Sequence, residues 1–299
     1  MKTTLLFLSV FLSVSLFGQN VYIPDANFKA YLVGNSEINT NGDTEIQVSE
    51  ATAYSGGISI QSFGGVDVYD LTGIEAFTNI TYLDCRNNHL TSLDVSQNTA
   101  ITYLICHGNQ ITSLDVSQNN ALIKLDCSEN LLTSLNTHGA IALEELDCYY
   151  NQLTSLDLSQ NTALIKLYCQ ENLLTSLDVS QNPTLSILTC QNNQLTCLNM
   201  ANGIVPYILE CYNNINLTCI ESDIISPVPF TGNWSLQLNV SFSEDCNNDC
   251  STASLTELTT TKNLIQILDL MGRETPFKPN TLLIYVYDDG SLEKVFTIE

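Results

Sequence analysis

Seven cysteines recur at a fixed interval of 21 residues, at Cys85, Cys106, Cys127, Cys148, Cys169, Cys190 and Cys211. Asparagine keeps the same beat three places later, at Asn88, Asn109, Asn130, Asn151, Asn172, Asn193 and Asn214, and leucine keeps it two places earlier, from Leu83 to Leu209. A short constant period constrains a chain more than its composition does. Each period must be one structural unit, and units too short to bury an apolar side alone must stack coil upon coil. The product is an elongated solenoid with a long repeated face, suited to binding rather than to catalysis.

The chemistry inside one unit points to strands. Leu125 and Cys127 alternate with Lys124, Asp126 and Ser128, the period-two pattern of a half-buried strand. Asn130 begins the turn, where its amide can bond the backbone of its own coil and of the coils above and below. Cysteines stacked about 4.8 Å apart and pointing the same way are poorly placed for disulfides. The seven are therefore read as small buried hydrophobes. A second acidic beat, Asp94, Asp115, Asp157 and Asp178, is broken by Asn136 and Asn199. Carboxylates at strand spacing repel one another, so this row must face water or attract cations, and a solvated face is the expectation.

Residues 122–135, LIKLDCSENLLTSL, follow the pattern L-x-x-L-x-C-x-x-N-x-L-x-x-L. This resembles the leucine-rich repeat, with cysteine in a leucine slot. The second half of each unit echoes the first, as LTSLDVSQN at 90–98 does LIKLDCSEN at 122–130. The match is closest to a 21-residue bacterial class with two similar half-repeats per coil, and it covers residues 80–220. The resemblance implies a parallel strand on one side of every coil and a second short strand or extended segment, rather than a helix, on the other. The fold class expected is a repeat solenoid, mainly β, with a small helical N-terminal cap and a small C-terminal β domain.

The two ends depart from the beat. The opening MKTTLLFLSVFLSVSLFGQN reads as an export signal over residues 1–18, too short and wrongly flanked for a membrane span. No later segment is apolar enough to cross a bilayer as a helix. Residues 19–79 form the N-terminal cap, a helix, a polar loop and a short helix. The loop from Asn39 to Glu50 resembles a degenerate EF-hand: Asn39, Asn41, Asp43 and Glu45 lie among its ligand positions, and Glu50 is the last carboxylate. Calcium is the cofactor that resemblance offers. Asn39 in place of the first Asp, and Thr44 in place of the turn glycine, count against it, and metal-free caps of this kind are known on the internalin-like solenoids that the arrangement resembles.

A C-terminal cap is read over 221–250, with Trp234 covering the last apolar layer. Cys197 and Cys219 stand where other coils carry Ser, and with Cys246 and Cys250 they are candidates for cap disulfides in an exported protein. Cys219–Cys246 is the preferred pair, although spacing leaves connectivity open. Residues 251–262 (STASLTELTTTK) read as a polar linker. Beyond it, Leu264–Leu270 and Leu282–Tyr287 read as strands, with Asp288-Asp289-Gly290 as a hairpin turn. The residues Asp269-Leu270-Met271-Gly272-Arg273-Glu274, Asn280 and Ile284-Tyr285-Val286-Tyr287-Asp288-Asp289-Gly290 resemble the C-terminal sorting domain of the Bacteroidetes type IX secretion system. That resemblance covers residues 263–299. It implies export in two steps, with the type IX machinery as a partner and the medium or outer-membrane surface of a Gram-negative bacterium as the destination.

Charge narrows the partners. The chain carries 9 basic and 32 acidic residues, a net charge of −23. Nucleic acid and anionic lipid need a basic footprint and are excluded as partners. No H-E-x-x-H, Walker A or G-x-S-x-G motif is present, and His89, His107 and His138 fall at three different phases of the repeat. No catalytic residues are assigned. Function is expected where the repeat leaves positions free, on the outward side of the first strand: Tyr82, Asp84 and Arg86; Tyr103, Ile105 and His107; Lys124 and Asp126; Glu145, Asp147 and Tyr149; Lys166 and Tyr168; and Tyr212, with Tyr150 just beyond. Exposed tyrosines are frequent contact residues. Tyr82, Tyr103, His107, Tyr149, Tyr150, Tyr168 and Tyr212 are the expected ligand-binding set, with Tyr149, Tyr150 and Tyr168 at its centre. The expected function is recognition or adhesion, through an extracellular protein or glycan. The alternatives are a passive structural surface protein and a hydrolytic enzyme.

Overall fold

A computed structural model describes residues 18–62, 67–223, 233–236 and 240–246, and the backbone of three strands within 264–296. The chain divides into two compact units, Met1–Thr252 and Ala253–Glu299.

The first unit is the expected parallel-strand solenoid. Its larger sheet has nine three-residue strands among the described residues: Gly57–Ser59, Tyr82–Asp84, Tyr103–Ile105, Lys124–Asp126, Glu145–Asp147, Lys166–Tyr168, Ile187–Thr189, Ile208–Glu210 and Asn233–Ser235. Each pairs in parallel with the next in unbroken register, so Leu83, Leu104, Leu125, Leu146, Leu167, Leu188, Leu209 and Trp234 line one inward row. Trp234 thus takes a leucine's place in the last strand, bonds the Pro206 carbonyl at 3.0 Å and lies against Phe242.

The strands are short because each coil turns sharply after its cysteine. Asn87, Glu129, Tyr150, Glu171, Asn192 and Asn213 all take positive φ, between 51° and 57°, and Gly108 fills the same position at 67°. The next residue is the repeated asparagine. Asn130 is representative. Its Nδ2 donates to the Cys106, Cys127 and Ser128 carbonyls, while Oδ1 accepts the N–H of Ile111 from the coil before at 3.0 Å. Each such amide satisfies backbone groups that the turn would leave buried and unpaired.

The second sheet faces away across the core and is interrupted. Ser113–Asp115 pairs with Ser134–Asn136, and Ser176–Asp178, Cys197–Asn199, Cys219–Glu221 and Ser241–Ser243 form a separate parallel group. The gap follows a local change of sequence. Coils before and after carry Val-Ser-Gln-Asn or Leu-Ser-Gln-Asn, whereas this one carries Thr137-His138-Gly139-Ala140. Gly139 packs so closely that a Cβ there would lie 1.7 Å from the Ser117 carbonyl oxygen. The acidic row lies at the ends of these segments. Asp94, Asp115, Asp157 and Asp178 each accept the N–H two residues on, from Ser96, Ser117, Ser159 and Ser180, at 2.8 to 2.9 Å. They close turns.

None of the seven ladder cysteines is in a disulfide, and all lack solvent exposure. Burial pushes the Cys85, Cys106, Cys127, Cys148, Cys169 and Cys190 thiols upward, so the thiolate form is disfavoured.

The N-terminal cap has helix α1 (Ala26–Gly34) and helix α2 (Val48–Ala53). Asp25 caps α1 by accepting from the N–H groups of Asn27 and Phe28, and Phe28 and Leu32 seal the first core layer. In the second unit, Leu264–Leu268, Leu282–Tyr287 and Leu292–Phe296 form one antiparallel sheet. The export signal before residue 18, Pro227, Pro229, Cys250, the linker, and the 269–274, Asn280 and 288–290 segments lie outside the described residues.

Candidate functional site

Three adjacent strands of the larger sheet and the residue following each cysteine make a patch of three rows on its outer face. The rows are Lys124, Asp126 and Ser128; Glu145, Asp147 and Tyr149; and Lys166, Tyr168 and Gln170. Register places Asp147 at the centre, between Asp126 on one side and Tyr168 on the other. Tyr150 stands just past it, 55% exposed, with its ring edge-on to Tyr149 at 5.8 Å between centroids.

The charges in the patch are not equivalent. Glu145 lies between two lysines: it pairs with Lys124 and, at 2.9 Å, with Lys166. Burial works against its ionisation, but the hydrogen bonds from both lysines outweigh burial and hold the carboxyl below its ordinary value. Asp147 fares differently. Lys124 reaches its Oδ2 at 3.3 Å, while Oδ1 has no hydrogen-bond partner among the described residues. Only 8% of Asp147 is exposed. Burial, added to by the nearby charges of Asp126 and Glu145, overcomes the lysine and pushes the carboxyl up to about 6.

The expected binding residues do not converge on one place. Tyr149, Tyr150 and Tyr168 join the central patch. Tyr82, Tyr103 and His107 lie towards the N-terminal end, where Tyr103 is 42% exposed and in register with Tyr82. Tyr212 follows the Ile208–Glu210 strand, three coils beyond Tyr149. Two of the positions on the outward side, Asp84 and Asp147, are buried there by their neighbours rather than free. Asp84 has no exposure because the Arg86 guanidinium folds back on it, and the Tyr82 hydroxyl and Gln61 amide complete its shell. It anchors the end of the sheet.

The cap loop has an internal solution to its polar groups. Glu50 Oε1 accepts from Thr40 N, Thr40 Oγ1 and Asn41 N at 2.8 to 3.1 Å, and Oε2 accepts from Gln47 N at 3.0 Å. Asn39 bonds the Val33 and Asp43 carbonyls and the Gly42 N–H. Asn41 Oδ1 and Asp43 Oδ1 accept backbone N–H groups, and Glu45 pairs with Lys29 at 2.6 Å. These oxygens, which an EF-hand would turn to calcium, are engaged here by donors of the loop itself. Among the described residues no cluster of three or more His, Cys, Asp or Glu side chains is arranged to hold a metal. At the other end, Cys219 and Cys246 are joined by a disulfide, and Cys197 is also disulfide-bonded.

A second amide ladder escaped the sequence reading. Asn98, Asn119, Asn161 and Asn182 are fully buried, and each donates to carbonyls of the preceding coil. Its signal was present as the Asn ending each S-Q-N, interrupted by Ala140.

No protein-family profile matches the chain, and no curated protein does. Among solved structures it is similar to the functional domain of InlJ from Listeria monocytogenes, described as including a cysteine ladder, with 26% identity over 74% of this chain and 61% of that one, and a TM-score of 0.42. It is also similar to the internalin InlF of the same organism, with 18% identity over 77% of this chain and 80% of that one, and a TM-score of 0.48. A leucine-rich repeat protein of Leptospira interrogans gives 19% identity over 59% of each chain, with a TM-score of 0.44. The chain thus spans about three fifths of the InlJ domain.

Proposed function

We propose that this chain is an exported recognition protein that binds an extracellular protein or glycan on the outer face of its larger sheet. The observation that carries this reading is the central patch. Tyr149, Tyr150 and Tyr168 lie beside Asp147, a carboxylate with an unpaired oxygen among the described residues. Aromatic side chains beside a desolvated polar group have the composition of an interaction hot spot. No chemistry is assigned to the face.

The export route is part of the same proposal. The apolar opening of the sequence and the tail resembling a type IX sorting domain support passage to the medium or the cell surface. Among the described residues no helix is long and apolar enough to cross a membrane. Two experiments test the reading. The secreted chain is screened against arrays of extracellular proteins and glycans, alongside a Tyr149→Ala, Tyr150→Ala, Tyr168→Ala variant. A saturable ligand lost in the variant supports the face, and one retained overturns it. Deleting residues 263–299 in the native host then tests the route: retention in the periplasm supports it, and unchanged localisation contradicts it.

A further inference from the structure

Resting on that recognition reading, the chemistry of the central patch selects one kind of ligand group. We propose that the patch seats a cationic side chain of a basic polypeptide on the Asp147 carboxylate, flanked by Tyr149 and Tyr168.

Three observations lead there independently. Asp147 is buried, with 12% of its side chain exposed, yet its Oδ1 lacks a donor among the described residues. A buried acceptor left unpaired is costly, and a ligand that brings the missing donor recovers that cost on binding. The charge count is the second. Lys124 and Lys166 face Asp126, Glu145 and Asp147, and Glu145 engages both lysines, so the patch holds one negative charge in excess. The third is aromatic. Three tyrosine rings lie at the patch, and a guanidinium or ammonium gains from a tyrosine face as well as from a carboxylate. The chain's charge of −23 would also draw a basic partner towards it.

A neutral glycan fits less well. It presents neutral donors and acceptors, and two of the polar side chains that could meet them are already committed. Thr189 donates to Gln170 at 2.6 Å, and Ser128 donates to Asp126 at 2.6 Å. The buried acceptor left without a donor at the patch is the negatively charged Asp147. Since Oδ1 is enclosed in the free face, docking entails a side-chain rotation at the patch.

The titratable and charged groups around Asp147 are Lys124, Asp126, Glu145, Tyr149, Lys166 and Tyr168. Of these, Lys124, Lys166 and Tyr168 are shifted upward and Glu145 downward, all away from the range in which Asp147 titrates. A cation needs the Asp147 anion, so affinity should fall as that carboxyl takes up its proton, by about tenfold at one pH unit below its midpoint.

The test is calorimetric titration of the full secreted chain with a hexa-arginine peptide and, separately, with neutral chitohexaose, at pH 7.5 and pH 5. The expected result is saturable peptide binding that weakens about tenfold at the lower pH. Asp147→Asn should weaken binding at pH 7.5 by at least about tenfold and abolish the pH dependence. Asp115→Asn, the same charge change on the other sheet, should move neither. Equal losses in the two variants would reduce the effect to overall charge and overturn the proposal. So would chitohexaose binding that depends on Asp147 where the peptide does not. Should Asp147→Asn fail to fold, the wild-type pH profile decides, and a flat profile is fatal. The recognition reading fails separately, if the triple tyrosine variant matches wild type towards every ligand that the chain captures.

Discussion

Glu50 Oε1 accepts the backbone N–H of Thr40 at 2.8 Å, so a carboxylate closes the cap loop where an EF-hand would place a cation. Burial opposes ionisation of Glu50, but donors from Gln47, Asn41 and Thr40 outweigh it and hold the carboxyl below its ordinary value. A carboxyl lowered in the folded state stabilises fully above its unfolded value, and that contribution is lost as pH falls through the folded one. Glu50→Gln should therefore cost about 2 kcal/mol at pH 7, since an amide cannot accept from both sets of donors. The difference between variant and wild type should shrink in acid below the ordinary carboxyl range. Millimolar calcium should leave the wild-type melting temperature unchanged. Thermal unfolding followed by circular dichroism across pH, with and without calcium, checks all three.

Repeat statistics and the structure give opposite advice at Gly139. Equivalent positions in four other coils hold glutamine, at Gln97, Gln118, Gln160 and Gln181, so a consensus argument would substitute it. A Cβ at Gly139 would strike the Ser117 carbonyl oxygen. Gly139→Gln should cost about 2 kcal/mol or more, the scale of a severe overpacking change. Denaturant titration decides between the two.

The cysteine ladder should be chemically silent in the folded protein. Seven buried thiols, six of them with ionisation pushed upward by burial, should resist iodoacetamide and oxidants in native buffer, and all should react once guanidinium unfolds the chain. Mass spectrometry counts the labels. The Cys219–Cys246 bond closes a 27-residue separation, and replacing both partners by Ser should cost roughly 3 kcal/mol.

Tyr150 holds a left-handed backbone, with φ at 51°, at a position where other coils use Asn, Glu or Gly. Asparagine tolerates that conformation better than a bulky aromatic residue does. Tyr150→Asn, the residue found at Asn87, Asn192 and Asn213, should raise stability by about 0.5 kcal/mol while lowering ligand affinity. A variant both less stable and equally able to bind would show that the tyrosine serves the scaffold.

The fold was legible because the repeat states its own geometry. Leu125 and Cys127 alternate inward and Asn130 turns the chain, and the resemblance to the 21-residue repeat class supplied the second strand or extended segment on the other side of the coil. The patch was legible only in outline. Tyr149, Tyr150 and Tyr168 were visible as exceptions to the beat, but alternation along a strand places Asp147 outward, and three rows of neighbouring side chains bury it. Burial of that kind arises between coils, across register, and a reading along the chain cannot see it. The inner ladder of Asn98, Asn119, Asn161 and Asn182 was hidden for another reason. A polar residue in a polar stretch looks like a loop until the carbonyls that it must satisfy are known.

The measurement closest to the central claim is the affinity of the full chain for its captured ligand, with and without Tyr149→Ala, Tyr150→Ala and Tyr168→Ala combined. Loss of two aromatic anchors or more from a hot spot should weaken binding by at least about a hundredfold while the melting temperature stays within a few degrees. Affinity within a few-fold of wild type, in a variant that folds as well, would place recognition elsewhere on the solenoid.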